Sequence, residues 1–129
     1  MTPQEAYDKA RNLGLRTPEL ELVISKDSQC SYWYARNVIE GKFILGEPAI
    51  SKSAYCSFHY ARYVIKGKFI LGEPVISKDV QFSYLYAKEI IKGRLPDLMH
   101  NQMILENNEY TKEYIKFISK NPDSLNNKI

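Results

Sequence analysis

No hydrophobic run in this sequence approaches the ~20 residues that a membrane-crossing helix needs, so no helical membrane span is expected. The opening residues, MTPQEAYDKARN, are polar and charged and lack the apolar core of a secretory signal. Neither sign of charge is in large excess: 18 basic residues face 15 acidic ones, a formal charge of +3. That imbalance is too small, by itself, to argue for nucleic acid. Histidine is scarce, with only His59 and His100. No Cys/His spacing suits a metal, and no Ser/His/Asp set is apparent. The stretch GKFILGEP holds Gly and Lys, but not in the GxxxxGK[ST] order of a phosphate loop. These absences lead to the expectation of a soluble, cytoplasmic protein that is not an enzyme and uses no cofactor or metal.

Cysteine is scarce as well. Cys30 and Cys56 take the same place in successive repeats, and Phe82 takes it in the third, which points to an apolar slot. Packed helices lie ~8–10 Å apart, whereas a disulfide wants Cα atoms within ~7 Å. Two reduced packing thiols are expected, and with them a reducing compartment.

What is present is a repeat of period 26. Residues 27–52 match residues 53–78 at 18 of 26 positions. The stretch GKFILGEPAISK (41–52) returns as GKFILGEPVISK (67–78), with Ala49 against Val75 as the one difference. SYWYARNVIEGK and SFHYARYVIKGK are answered by SYLYAKEIIKGR, which ends at Arg94. Degenerate copies stand at both ends, as ARNLGLRTPELELVISK (10–26) and YTKEYIK (110–116). Atypical end repeats are expected, because they cap an open stack.

Each repeat reads as a long helix followed by a short one. Asp27, Ser53 and Asp79 are good N-caps for the long helix. Gly41, Gly67 and Gly93 are expected to end it in the left-handed C′ conformation. Pro48 and Pro74 suit the first turn of the short helix, with Glu47 and Glu73 at its positive end. Pro18-Glu19 and Pro96-Asp97 fit the same place in the outer copies. A rival reading makes FIL (43–45, 69–71) a short strand, but three residues make a poor one. The fold expected is an all-α solenoid of helix-turn-helix repeats over 1–120. Its repeats run about 1–26, 27–52, 53–78 and 79–104, with a cap helix at 109–119 and a flexible polar tail at 121–129.

At 100° per residue, Ser31, Ala35 and Val38 form the buried stripe, flanked by Tyr32, Tyr34 and Ile39. Trp33, Arg36, Asn37 and Glu40 face outward. Their equivalents are His59, Arg62, Tyr63 and Lys66, then Leu85, Lys88, Glu89 and Lys92. The buried columns barely change between repeats, while the outer ones change in chemistry. Trp33, Arg36, His59, Arg62 and Tyr63 could therefore form a ridge of aromatic and cationic groups, the types enriched at interaction hot spots. Asn37, Lys66, Leu85 and Lys88 extend the candidate surface. The basic columns also fit a phosphate-tracking stripe, although Glu40 and Glu89 interrupt it.

The motif YARNVIEGK…GEPAISK and its copy YARYVIKGK…GEPVISK resembles short helical repeats of tailed phages and large DNA viruses. The likeness covers about residues 10–94, and 95–120 only loosely; RTPELE (16–21) and RLPDLM (94–99) depart from it as capping changes. The resemblance implies an α-solenoid in a viral or prophage setting and supplies no catalytic or ligand residue. The expected role is a protein-binding module whose partner would be a host or defence protein. Nucleic acid and self-association are the other partners weighed.

Overall fold

The computed structural model describes residues 1–120, and the tail expected at 121–129 lies outside them. Every regular element among the described residues is helical, with no strand among them. The α-helices are α1 (Pro3–Leu13), α2 (Pro18–Ile24), α3 (Ser28–Tyr34), α4 (Glu47–Ile50) and α5 (Ala54–His59). They continue with α6 (Glu73–Ile76), α7 (Val80–Tyr86), α8 (Asp97–Glu106) and α9 (Glu109–Lys120). The FIL segments form no strand: Ile44–Gly46 and Ile70–Gly72 are 3₁₀ turns leading into α4 and α6.

The helix starts follow the capping chemistry. Asp27, Ser53 and Asp79 each accept the amide of the residue three further on, at 2.8, 3.1 and 3.0 Å. The helix ends do not follow the glycine expectation. After Tyr34, His59 and Tyr86 the backbone widens into π turns, over Ala35–Ile39, Tyr60–Ile65 and Ala87–Ile91. The left-handed residue that closes each is Glu40, Lys66 or Lys92, with φ of 57°, 60° and 59°. Its amide and that of the following glycine both turn back to one carbonyl, of Ala35, Ala61 or Ala87. Gly41, Gly67 and Gly93 thus sit one place beyond the strained position.

The π turn also rotates the wheel. Residues after Ala35 no longer advance by the α-helical 100°, so Val38 is half-buried rather than central in the stripe, while Ser31, Tyr32, Tyr34 and Ala35 are buried.

The helices pack as two rows. In one, α1 touches α3, α3 touches α5, α5 touches α7 and α7 touches α9. In the other, α2 meets the turn before α4, and α4 meets the turn before α6. Between the rows lie Tyr34 against Phe43 and Tyr60 against Phe69, each pair edge-on with ring centres 4.9 Å apart.

A buried clasp ties the rows together. The Tyr60 hydroxyl accepts the Phe43 amide at 2.9 Å and donates to Glu47 at 2.6 Å. The Tyr86 hydroxyl treats Phe69 and Glu73 likewise, at 3.0 and 2.7 Å. Tyr34 takes the Thr17 amide and donates to Glu21 at 2.5 Å. At the C-terminal end Tyr114 accepts the Leu95 amide at 3.1 Å, and His100 Nδ1 stands in the carboxylate's place at 2.6 Å. The amides fall at 17, 43, 69 and 95, a spacing of 26 throughout. Tyr114, two residues late against that spacing, marks where the last copy is lengthened.

The clasp corrects the register of the first copy. Glu21, not Glu19, is the counterpart of Glu47, and Arg16 holds it with a two-point ion pair at 2.8 and 3.1 Å. Close approach completes the design. A Cβ on Gly46 would lie 2.6 Å from the Phe43 ring and 2.7 Å from Ser31 Cβ, and Gly72 is as tightly enclosed by Phe69 and Ser57. Ser31, Ser57 and Ser83 also cap the short helices, donating to the carbonyls of Ile24, Ile50 and Ile76. Cys30 and Cys56 are both free and buried, and burial pushes the Cys30 thiol up to about 12.

Candidate functional site

The outer columns of α3, α5, α7 and the π turns that follow them meet across the repeats. Arg36 donates to the Tyr32 hydroxyl at 2.9 Å. Its guanidinium lies 5.7 Å from the Trp33 ring centre and 4.3 Å from that of Tyr63, one repeat on. Arg62 lies 5.3 Å from the other partner, the same Tyr63 ring, and forms an ion pair with Glu89 of the next repeat. The arginine column therefore reaches forward each time, and the residue it meets decides the bond: an aromatic face at 63, a carboxylate at 89.

His59 fills the gap between these groups. Its ring stacks on Tyr63 with centres 5.8 Å apart and meets Tyr55 edge-on at 4.2 Å. Burial first, then the cations Arg36 and Arg62, hold its pKa below the ordinary imidazole value. It is thus a neutral aromatic spacer near pH 7. Asn37 turns away from the arginines and donates to the Tyr7 hydroxyl at 3.0 Å, linking the ridge to α1. Lys88 lies 5.3 Å from the Tyr84 ring centre.

Not every expected ridge residue is outward. Trp33, His59, Arg62 and Leu85 are half-buried, and Trp33 and Leu85 pack on the core cluster. Trp33 and Leu85 precede their π turns. Trp33, Arg36, His59, Arg62 and Tyr63 form one continuous surface. Lys66 borders it, while Leu85 and Lys88 belong to its far end.

Clefts open between the repeats along this ridge. One, of about 410 Å³, is lined by Arg62, Tyr63, Lys66, Glu89 and Lys92. A second, of about 300 Å³, lies between Arg36, Glu40, Tyr63 and Lys66. A third, of about 480 Å³, lies between Tyr7, Arg11, Cys30, Trp33 and Asn37. Sequence reasoning left Tyr7 and Arg11 out of the candidate surface, although the match of ARN (10–12) to ARY (61–63) sets Arg11 in the arginine column; Tyr7 lies before the matched stretch.

Among the described residues no group of three or more His, Cys, Asp or Glu side chains could hold a metal ion. None of their helices is long and apolar enough to cross a membrane. No family model, curated protein or solved structure matches this chain.

Proposed function

We propose that the chain is an α-solenoid of period 26 that binds another protein through the ridge of its long helices, without catalysis. The clasp supports the architecture, since the same tyrosine, amide and acceptor return at a fixed spacing. The observation that carries the functional reading is the division within each long helix. The polar groups facing the short helices are consumed by one another. The ridge columns differ in chemistry from repeat to repeat and border clefts open to solvent. Trp, Tyr and Arg, which recur there, are the residues that dominate binding hot spots.

Glu40 and Glu89 stand in the same clefts, and this turns the reading away from a phosphate-tracking stripe. In the phage or prophage setting that the repeat motif resembles, the partner would be a host or defence protein that the chain blocks.

Affinity capture from the organism that encodes the chain tests the ridge, using wild type beside a Trp33→Ala/Lys66→Glu variant. Circular dichroism checks that the variant keeps its helical signal. A partner held by wild type and lost by the folded variant supports the reading. Equal capture by both overturns it.

A further inference from the structure

The three ridge clefts hold a charge excess equal to that of the whole chain. Their linings carry five cations, Arg11, Arg36, Arg62, Lys66 and Lys92, and two anions, Glu40 and Glu89. Set apart from the 18 basic and 15 acidic residues of the sequence, these leave 13 of each sign elsewhere. Each cleft is positive by itself. The Tyr7–Trp33 cleft has Arg11 and no carboxylate in its lining; Asp8, held by the Gln4 amide at 3.0 Å, is not part of it. The next sets Arg36 and Lys66 against Glu40. The last sets Arg62, Lys66 and Lys92 against Glu89.

Internal pairing does not cancel this excess. Glu89 is paired with Arg62, so the two are neutral together towards an outside group. Arg36 bonds to the Tyr32 hydroxyl and lies over Tyr63, contacts that leave its charge uncompensated. Lys66 and Lys92 are exposed, and neither forms an ion pair among the described residues.

The backbone adds a second observation. Lys66 and Lys92 are the left-handed residues that close their π turns, with φ of 60° and 59°. Glycine or asparagine adopts that conformation with less strain. A side chain without a bond in the fold thus stands where another residue would fold better, and such strain collects at ligand-contacting positions. Glu40 holds the same place one repeat earlier, so the column turns from anion to cation along the ridge.

Two features select among anions. A nucleic-acid strand carries charge at every unit and would have to pass Glu40 and Glu89. A protein surface can set carboxylates against Lys66 and Lys92 and a neutral or basic group against Glu40. Single-strand binders also stack bases on aromatic faces, and the Tyr63 ring is already met by Arg36, Arg62 and His59.

We propose that the ridge takes its partner protein through an acidic surface segment, whose Asp or Glu side chains meet Lys66 and Lys92, with a further one at Arg11. This rests on the reading of the ridge as a protein-binding face and names the chemistry of the partner. Lys66 and Lys92 are one repeat apart, so the carboxylates that meet them stand about 8–10 Å apart, the spacing of packed helices.

The probe is a short capped peptide of alternating Glu and Ser, titrated into the isotope-labelled full chain. The same peptide with Gln for Glu and a single-stranded oligothymidylate form the other arms. Saturable shifts at the amides of Lys66, Gly67, Lys92 and Gly93 are expected with the Glu peptide, weakened by added salt. A Lys66→Asn/Lys92→Asn variant should bind it about twofold to thirtyfold more weakly, as two exposed ion pairs would give. Its urea midpoint should stay level or rise, because asparagine eases the left-handed turns. Four results would each overturn the proposal. They are absent shifts, equal binding of the Gln peptide, shifts spread evenly over the chain's other lysines, and a lower urea midpoint for the variant, which would return the lysines to the scaffold. Tighter binding of oligothymidylate at the same amides would assign the ridge to nucleic acid instead. The two readings fail separately. A captured partner lost by Trp33→Ala/Lys66→Glu and held by Lys66→Asn/Lys92→Asn would keep the ridge and remove its acidic partner, whereas a partner held by both would remove the ridge itself.

Discussion

Tyr60 and Tyr63 lie three residues apart in one π turn and are used in opposite ways. Tyr60 is fully buried, and its hydroxyl is spent twice, on the Phe43 amide and on Glu47. Burial and that carboxylate drive its pKa up, so it stays a donor under all ordinary conditions. Tyr63 is 41% exposed and works through its ring face, between Arg36 and Arg62. The first contact fixes one geometry and tolerates no change, so the tyrosine recurs at 34, 60 and 86. The second is a loose cation–π contact worth ~0.5–1 kcal/mol at an exposed site. It can be exchanged for an ion pair, as Glu89 does in the next repeat. The constancy of one column and the variability of the other follow from how many bonds each residue must satisfy at once.

The strongest test of this contrast sets two glycines against each other. Gly72→Ala drives a Cβ into Phe69 and Ser57 and should cost up to about 3 kcal/mol by overpacking. Gly67→Ala has only Ile65 nearby, at 4.0 Å, and no left-handed φ to strain. It should be neutral or stabilise by up to ~1 kcal/mol. Urea midpoints for the two variants measure this, and similar losses would break the distinction.

Tyr86→Phe comes next. It leaves the Phe69 amide buried without an acceptor and Glu73 without its donor, at a cost of about 2 kcal/mol. Tyr63→Phe keeps the ring face and should change stability by less than ~0.5 kcal/mol. A Tyr86→Phe variant as stable as wild type would remove the clasp from its place in the fold.

Acid sharpens the comparison within the clasp itself. Burial, then Arg94, lowers the His100 pKa, and His59 is lowered in the same direction. Folding favours both neutral rings, so this stability is complete above ~6.5, the unfolded value. It is lost as pH falls through the window below that value, where the unfolded chain binds the extra proton. Protonated His100 would point a donor at a Tyr114 hydroxyl that already accepts Leu95. His100→Gln, which keeps an acceptor, should lose less stability than wild type between about pH 7 and about pH 5.5. Equal losses would place the acid response at His59.

The smallest effect is expected on the ridge. Arg62 and Glu89 are more than a third exposed, so a double-mutant cycle to Ala should give a coupling of ~0.2–1 kcal/mol. A coupling well above that would move the pair from the variable class to the scaffold.

Much of this was legible in the repeat. Asp27, Ser53 and Asp79 cap helices because a short oxygen side chain before an apolar run has one efficient use. The buried Ser, Tyr and Ala columns declared themselves by not changing. The wheel placed both ridge arginines outward; Arg36 is exposed, while Arg62 is half-buried. The wheel misplaced Trp33 and Leu85, which pack on the core before their π turns, and then Val38, which follows a π turn that nothing local announces. The choice between an α and a π closure depends on what packs against the last turn. Gly41 looked like the left-handed residue because glycine is the cheapest one there, yet Glu40 takes that strain. The ridge pairs could not be read at all, since Arg36 and Tyr63 lie 27 positions apart and meet only when repeats stack.

The sequence by itself determined the period, the all-helical class and the helix starts, because these rest on spacing and on bonds between residues a few places apart. Only the tertiary structure decided what the tyrosines hold, which glycines are indispensable and which apolar residues of GKFILGEP[AV]ISK face water. Those answers depend on the distance between chain segments far apart in sequence, which no local propensity encodes.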